Sequence, residues 1–434
     1  MARAHRRGFG GRGGMMAGAD AGIVEARSEA EVVEVVRAAR ANGRRVRVAG
    51  SGGSKSTVNA PADTAIELAH ADALGTRDGT EVIVPAAMTV GRIQELLREV
   101  GLTLPTVGEW HNATLAGSLA TATHGGSAHH GIMPTSVRGL RLIDGRGEAR
   151  EIGPDDPELR FAAVSLGAFG VITEVTLTCT EHFHLEMETD VVPFEAYLDD
   201  PVAQESRREF HASVWMPDAG RVIRFGAERA PPDGRRSSRP TRFGKGMAMM
   251  RFLARRLGFH RAISTRLFRR TAFGDCAEIL SPLHVPPRVA RFRNAANAVR
   301  GRKAAELAID AARAREALPH FLELFRAHPG ALNNPIGLRM SARDALAISP
   351  CVGRDTLWLD IFHDADERFE RALVEVAERF EARAHWGKAL TLAPAALRSR
   401  YPEWDAFHAM RERFDPDGVF ANALTDALGL TAPR

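Results

Sequence analysis

The spacing of apolar residues predicts alternating helices and strands in the first 180 residues. Ser28 and Glu31 form a capping-box pattern, and apolar residues recur at helical spacing from Val32 to Ala39. Gly43 ends this predicted helix, and 46–48 forms a strand. A second helix is predicted over 89–100. Its apolar face consists of Val90, Ile93, Leu96, Leu97 and Val100.

Short β-branched runs predict strands between these helices. They lie at 66–68, 82–84 and 170–179. The Asp144-Gly145 pair between 137–143 and 148–152 predicts a hairpin. Because helices and strands mix without a strict β-α-β period, the pattern favours an α+β fold over a doubly wound sheet.

The pattern of predicted helices and strands changes near residue 183. Strands are predicted at 210–215 and 221–226, joined by a turn at Pro217–Gly220. Later elements are a strand at 304–309, a helix at 313–328, a strand at 356–362 and a helix at 366–382. A second domain is therefore expected after residue 183.

Composition indicates a globular protein of about two domains. The chain has 434 residues, 44% hydrophobic and 26% charged, with a net charge of +4. No apolar run reaches the roughly 18 residues of a membrane span. Three distant cysteines indicate no disulfide framework, so a cytoplasmic location is expected. The Arg6-Arg7 pair lacks the apolar segment of an export signal, so residues 1–21 are expected to form a flexible tail.

Basic residues concentrate in one segment, 235–270, which contains no Asp or Glu. Within it, 247–257 predicts a helix in which arginines alternate with apolar residues. Three interpretations stay open: a solvated surface, a peripheral membrane contact, or a contact with a protein or acidic substrate. Nucleic-acid binding is not expected, because no recognition motif or aromatic stacking platform accompanies the charge.

The most informative local pattern is the loop that follows the 46–48 strand. It contains Gly50, Gly52, Gly53 and several hydroxyl residues. Glycine allows close approach of a ligand, and successive backbone N–H groups can bind an anion such as a cofactor diphosphate. An ordinary turn is the alternative.

Five motifs in a fixed order carry a family resemblance. They are Val48–Ser54, Thr114–Ser118 with Ala122–Gly125, Ser165–Thr173, His385-Trp-Gly-Lys388, and Asp415–Asn422. Together they resemble the flavin-dependent oxidoreductases of the vanillyl-alcohol-oxidase type, above all the aldonolactone and alditol oxidases. The resemblance covers about 22–185 and 330–434 and leaves 230–300 poorly matched.

The resemblance implies a two-part FAD-binding domain of the vanillyl-alcohol-oxidase (PCMH) type with an inserted α+β cap domain. The expected division is tail 1–21, major FAD-binding part 22–182, cap 183–383 and C-terminal return 384–434. The FAD contacts that it implies are Gly50, Ser51, Gly52, Gly53 and Ser54 at the diphosphate; Gly108, Thr114, Gly117, Ser118, Thr121, Thr123, His124 and Gly125 along the ribityl chain and flavin; Gly170, Val171 and Ile172 at the adenosine end; and His385, Lys388 and Asn422 from the C-terminal part.

Three departures from the family pattern bear on chemistry. Gly53 stands where family oxidases have the histidine that bonds to the flavin, so FAD is expected to be non-covalent; His129 or His130 is the alternative attachment point. Gly337 stands where relatives have the glutamate of Glu-x-Arg, while Arg339 is retained. Asp360 and Phe362 stand where alditol oxidases have His and Thr, and they are expected to contact substrate.

The resemblance implies an enzyme that takes a hydride from a CH–OH carbon of an alcohol, polyol or sugar lactone and passes electrons to oxygen. Arg339 and Lys388 are expected to stabilise the reduced flavin, and Glu109 to act as a base. The small Gly108 favours oxygen access. No metal is expected. The alternatives are a dehydrogenase with a quinone or protein acceptor, an enzyme acting on a bulkier secondary metabolite, and a non-catalytic binding protein without flavin.

Overall fold

The computed structural model describes residues 22–60, 62–69, 72–231, 270–276, 302–389 and 392–431. The predicted tail, 1–21, and the predicted helix at 247–257 lie outside the described residues. Of the basic segment 235–270, only Arg270 lies inside them.

The helices are numbered in chain order within the described ranges. They are α1 Glu29–Ala41, α2 Val90–Glu99, α3 Leu115–Ala120, α4 Leu159–Ala162, α5 Phe194–Leu198, α6 Pro201–Glu205, α7 Ala314–Ala327, α8 Glu367–Arg379, α9 Pro394–Arg400, α10 Trp404–Phe414 and α11 Ala423–Ala427.

The strands are numbered in the same way. They are β1 Gly22–Ala26, β2 Val46–Val48, β3 Thr64–Leu68, β4 Arg77–Asp78, β5 Glu81–Pro85, β6 Leu102–Thr103, β7 Val137–Ile143, β8 Ala149–Ile152, β9 Val171–Thr178, β10 Thr180–Glu181, β11 His184–Pro193, β12 Phe210–Met216, β13 Arg221–Ala230, β14 Arg270–Asp275, β15 Arg302–Asp310, β16 Ile336–Ser341, β17 Thr356–Asp364 and β18 Arg383–Ala384.

A small parallel sheet, β1-β3-β2, opens the first module. The predicted cap of α1 is confirmed, since the Ser28 hydroxyl accepts a hydrogen bond from the Glu31 N–H at 3.3 Å. Val32 and Val36 of α1 are fully buried in the same cluster as Val46 of β2. The predicted apolar periodicity thus packs the helix onto the strand that leads into the glycine loop.

An antiparallel sheet, β4-β5-β9-β7-β8, forms the second layer of this module among the described residues. The predicted hairpin is confirmed: the Asp144 carboxylate accepts from the N–H groups of Arg146 and Glu148 at 2.8 and 3.0 Å. The apolar face predicted for α2 is wrong at Val100. This residue caps the end of the helix and is 42% exposed, since the chain turns away there.

A large antiparallel sheet dominates the second module. Within the described ranges its strand order is β14-β11-β13-β12-β16-β17-β15-β18. Helices cover one face: Trp215 of β12 stacks on Phe194 of α5, with ring centroids 4.5 Å apart. Side chains alternate along strands, so Arg339 and Asp360 point to the opposite face. That face meets the loops of the first module.

The C-terminal segment returns to the first module. Phe414 of α10 stacks on Phe169, and the Val46 N–H donates to the Val419 carbonyl at 2.7 Å. The predicted boundary at 183 precedes β11, whereas the one at 384 falls inside β18, which pairs with β15 of the large sheet. None of the described helices combines the length and hydropathy needed to cross a bilayer.

Candidate active site

The loop after β2 has the backbone expected of an anion-binding turn. Gly52 has a φ of +67°, a conformation that glycine adopts without strain. The N–H groups of Gly50, Ser51, Gly52 and Gly53 donate no hydrogen bond to the rest of the described chain. Four consecutive donors in one turn can bind a diphosphate.

Glycines in this loop and in a second glycine-rich segment, 106–125, occupy positions where a larger residue would clash. A Cβ atom on Gly50 would lie 2.7 Å from the Thr114 hydroxyl. One on Gly108 would lie 2.5 Å from Thr123 Cγ2, and one on Gly125 would lie 2.5 Å from the Thr106 hydroxyl. Glycine at these positions therefore lets the loops pack together.

Ser118 presents a buried hydroxyl in the same segment. It lies on α3, which is capped by the Thr114 side chain, and is 2% exposed. Its Oγ has no hydrogen-bond partner in the part of the chain that the structure describes. A buried polar group without a partner is costly unless a ligand supplies one, so the position fits a polar cofactor chain such as the ribityl of FAD.

The His385-Trp-Gly-Lys388 turn joins this assembly from the other end of the chain. The Gly387 carbonyl accepts from the Ser54 hydroxyl at 3.0 Å and from the Lys55 N–H at 2.7 Å. His385 Nδ1 accepts from the Gly387 N–H at 2.9 Å, and burial lowers the pKa of His385 to about 3. The three predicted cofactor segments are therefore brought together around one region.

His124 connects the cofactor loops to the large sheet. Its ring stacks on Trp358 of β17, with centroids 3.8 Å apart and planes 6° apart. Nε2 lies 3.0 Å from Glu306 Oε1, and Nδ1 lies 2.9 Å from the Gly125 carbonyl. His124 is 4% exposed, so it is fixed in place by packing and hydrogen bonds.

Lys388 lies between two carboxylates of the large sheet. Its Nζ is 3.0 Å from Glu306 Oε2 and 2.9 Å from Asp360 Oδ1. Burial lowers the pKa of Lys388, but Asp360 and Glu306 raise it by more, and the ammonium stays charged. Burial alone would raise the pKa of Glu306, but Lys388 and His124 hold it well below its usual range.

Arg339 and Glu109 form an ion pair across the two modules, 230 positions apart in sequence. Burial alone would lower the pKa of Arg339, but Glu109 and more distant carboxylates raise it. Phe362 lies beneath Lys388, whose Nζ is 5.5 Å from the ring centroid. Every predicted catalytic and substrate residue therefore lies on or against the same sheet face.

The residues predicted for the adenosine end are packed into the fold. Gly170 has a φ of +148°, and a Cβ there would lie 2.3 Å from the Ile143 carbonyl oxygen. Val171 is fully buried, and Ile172 is 8% exposed. The Asn422 side chain caps α11 and donates to the Leu166 carbonyl at 3.1 Å. Their contact with FAD stays a prediction.

Ligand atoms of His124, Glu306 and His385 lie within 4.8 Å of one another, a spacing compatible with a metal ion. However, the ammonium of Lys388 already neutralises Glu306, and His385 Nδ1 accepts the Gly387 N–H. Several of the atoms that could bind a metal are therefore already engaged by other groups of the chain.

The sequence reasoning missed Glu306. It is the only charged residue in the apolar run Ala304–Ile309, and it is 4% exposed. A lone carboxylate in a buried strand requires a partner, so this pattern could have identified it.

Comparison with known proteins gives a consistent result. A model of the D-arabinono-1,4-lactone oxidase family matches residues 175–428, and a model of the FAD-binding domain matches 21–153. The chain is 30% identical to the L-gulono-1,4-lactone dehydrogenase of Mycobacterium tuberculosis, over 94% of this chain and 95% of that protein. It is 26% identical to the L-gulonolactone oxidase of Bos taurus, over 91% and 92% of the two chains.

A cholesterol oxidase from B. sterolicum has the same fold, with a TM-score of 0.73 at 14% identity over 94% of this chain and 93% of that chain. The expected α+β fold of the PCMH type and the expected FAD cofactor are confirmed. The chain is an FAD-dependent oxidoreductase and belongs to the D-arabinono-1,4-lactone oxidase family.

Proposed function

We propose that the protein oxidises a CH–OH carbon of a sugar lactone and passes the electrons to oxygen. The observation that carries this proposal is the dense set of hydrogen-bonding charges on one sheet face: Arg339, Asp360 and Lys388, with Glu109 and Glu306 beside them. A polyhydroxylated lactone needs several such partners. The names of the relatives, which refer to gulonolactone and arabinonolactone, support the same substrate class.

FAD, when bound, supplies the two-electron oxidant. The N–H groups of the Gly50–Gly53 turn would hold its diphosphate, and the Ser118 hydroxyl would bond its polyol. The cations Arg339 and Lys388 would favour negative charge on the reduced cofactor. Trp358 fixes His124, and Glu306 holds Lys388 at the junction of the two modules.

FAD in this proposal is non-covalent. Gly53 has no side chain that could bond to the flavin, and a Cβ there would lie 3.8 Å from the Trp110 ring. His130, an alternative attachment point, is hydrogen-bonded through Nε2 to Glu209, the residue before β12, at 2.9 Å. Acid precipitation should release yellow flavin into the supernatant. Flavin that stays with the precipitate would contradict non-covalent binding and direct attention to His129 or His130.

A panel of donors tests the substrate class. In anaerobic solution, aldonolactones should bleach the bound flavin faster than alditols, bulkier alcohols or amines. Bleaching by bulky alcohols alone would contradict the proposal and favour a secondary metabolite. A colourless protein that ignores added FAD would favour the non-catalytic binding protein.

The electron acceptor has one specific alternative. The relative from Mycobacterium tuberculosis is named a dehydrogenase, which favours a quinone or protein acceptor. Stoichiometric hydrogen peroxide during aerobic turnover supports oxygen. Turnover that requires an added quinone or dye, without peroxide, supports the dehydrogenase.

A peripheral membrane or protein contact through 235–270 stays a prediction, as does a cytoplasmic location. Sedimentation with anionic liposomes, before and after deletion of 235–270, tests the membrane contact. Equal sedimentation of both proteins would contradict it.

A further inference from the structure

Two carboxylates face each other across neighbouring strands of the large sheet. Glu306 of β15 pairs in register with Asp360 of β17, and Asp360 pairs in turn with Gly337 of β16. Residues paired in this way point to the same face of the sheet. Like charges directly opposite each other are unfavourable, so the arrangement depends on the ammonium of Lys388 between them.

The two carboxylates differ in how fully they are used. Both oxygens of Glu306 are engaged, one by His124 and one by Lys388, and the side chain is 5% exposed. Asp360 is bonded to Lys388 through Oδ1 alone, and its side chain is 20% exposed. Within the described ranges, Asp360 Oδ2 receives no hydrogen bond. A ligand entering this face can therefore reach Oδ2.

We propose that Asp360 is the catalytic base that takes the proton of the substrate hydroxyl; this inference rests on the proposed oxidation of a CH–OH carbon. The O–H bond breaks and its proton moves to Asp360 Oδ2. The C–H bond breaks with both electrons, which leave as hydride to the FAD oxidant, and the carbon–oxygen bond becomes a carbonyl. Charge and electrons balance, because the substrate loses one proton and one hydride.

Other groups on this face are less suited to the same role. Glu109, predicted from sequence as the base, is ion-paired to Arg339, and its side chain is 39% exposed. Lys388 is an ammonium and has no free electron pair. His385 Nδ1 already accepts the Gly387 N–H, and both His124 nitrogens lie against oxygen atoms. Asp360 combines burial with an available oxygen.

The surroundings of Asp360 determine the sign of the pH dependence. Glu306 faces it from β15, Arg339 from β16 and Lys388 from the turn after β18. Glu109 is paired with Arg339, His124 is hydrogen-bonded to Glu306, and His385 interacts electrostatically with Glu306 and Lys388. Burial and Glu306 raise the pKa of Asp360, while Lys388 and Arg339 oppose the rise. Since the base must be ionised, the rate of substrate oxidation should fall as pH falls through this pKa.

Anaerobic stopped-flow reduction of the FAD-loaded enzyme by L-gulono-1,4-lactone tests the proposal. Asp360→Asn should lower the limiting rate about 100-fold or more and abolish its acid limb, since a positioned base contributes roughly that much. FAD content and Tm should stay at wild-type values. Asp155→Asn, the same change at an exposed turn of the first module, should alter none of these quantities.

Exchange across the strand pair gives a second, independent test. The exchange moves the carboxylate to residue 337, which lies in register with residue 360 on the neighbouring strand. A Cβ on Gly337 would lie 3.3 Å from the Asp360 Cβ, and replacing Asp360 with glycine removes that contact. The double variant Gly337→Glu/Asp360→Gly should therefore be at least tenfold faster than Asp360→Gly alone and should regain an acid limb.

The outcomes separate this inference from the proposed function. If wild-type flavin is reduced but Asp360→Asn keeps the wild-type rate and pH profile, the base assignment is overturned and the proposed function stands. If no aldonolactone reduces the wild-type flavin, both are overturned. If Asp360→Asn fails to load FAD, Asp360→Glu decides: retained reduction with a shifted acid limb supports the assignment, and an unshifted limb overturns it.

Discussion

The two sides of the candidate site, one predicted to bind the cofactor and one the substrate, differ in the chemical groups that they present. On the predicted cofactor side, glycines and small hydroxyl residues leave backbone N–H groups unbonded in the described part of the chain. They also let chain segments pack so closely that a single added Cβ atom would clash. On the substrate side, charged side chains from three strands and one turn balance one another across the sheet. In the proposed function, main-chain N–H groups, which many sequences can supply, would bind the cofactor, whereas substrate binding would depend on a few matched charges.

The largest effect on stability is expected on the substrate side, where the charges are paired. Glu306→Gln removes the anion shared by His124 and Lys388, and breaking such a buried pair should lower the free energy of unfolding by about 4 kcal/mol. Urea unfolding near neutral pH measures this. Glu375→Gln, an exposed position on α8, is the matched control and should change the free energy by less than about 0.5 kcal/mol.

The pH dependence of the stability of the same variant gives a second test of the ion pairs around Glu306. The pKa of Glu306 is held below its usual range in the folded protein, so its contribution is present near neutral pH and is lost as pH falls through the folded value. Glu306→Gln should therefore lose less stability on acidification than the wild type. Parallel curves of unfolding free energy against pH for the two proteins would show that this carboxylate does not stabilise the fold through its ion pairs.

A smaller effect is expected where the two sides meet through backbone. The Gly126 carbonyl accepts from the His211 N–H at 2.9 Å, and a Cβ on Gly126 would lie 2.1 Å from the His211 carbonyl oxygen. Gly126→Ala should cost about 3 kcal/mol of unfolding free energy, because main chain must shift. Gly153→Ala, where a Cβ meets nothing within 4 Å, is the control. Equal Tm values for the two would contradict the close contact.

The smallest effect belongs to the cofactor side. Ser118→Ala removes a buried hydroxyl that lacks a partner, so the FAD-free protein should unfold at the wild-type urea concentration. FAD affinity should fall roughly fivefold to tenfold, the loss of about 1 kcal/mol for one hydrogen bond. Quenching of flavin fluorescence on titration measures this. The reverse pattern, lower stability with unchanged affinity, would mean that Ser118 serves the fold instead.

The sequence was informative where structure is local. The Ser28 cap and the Asp144-Gly145 hairpin each follow from residues within a few positions, and both form as predicted. The glycine loop and the His385–Lys388 turn could also be identified, because they occur as short motifs. Val100 was misassigned, since helical periodicity cannot indicate where a chain leaves the core.

The arrangement of the charges could not be predicted, because it depends on strand register. Nothing in the sequence relates Glu109 to Arg339, 230 positions later, or Glu306 to His124, 182 positions earlier. The family resemblance predicts Asp360 as a substrate contact, but its pairing with Glu306 becomes visible only when β15 and β17 are aligned. A one-residue slip of either strand would turn these side chains to the helix-covered face.

The carbonyl of Gly387 carries a consequence for biosynthesis. It accepts hydrogen bonds from both Ser54 and Lys55, so the glycine loop after β2 gains this support only from a residue made more than 300 positions later. A ribosome-bound chain that does not yet contain Gly387 lacks these two hydrogen bonds, even if its amino-terminal half has already folded. If the loop binds the FAD diphosphate as proposed, we expect FAD to bind only after Gly387 has been synthesised. Proteins truncated before this residue should be recovered without flavin.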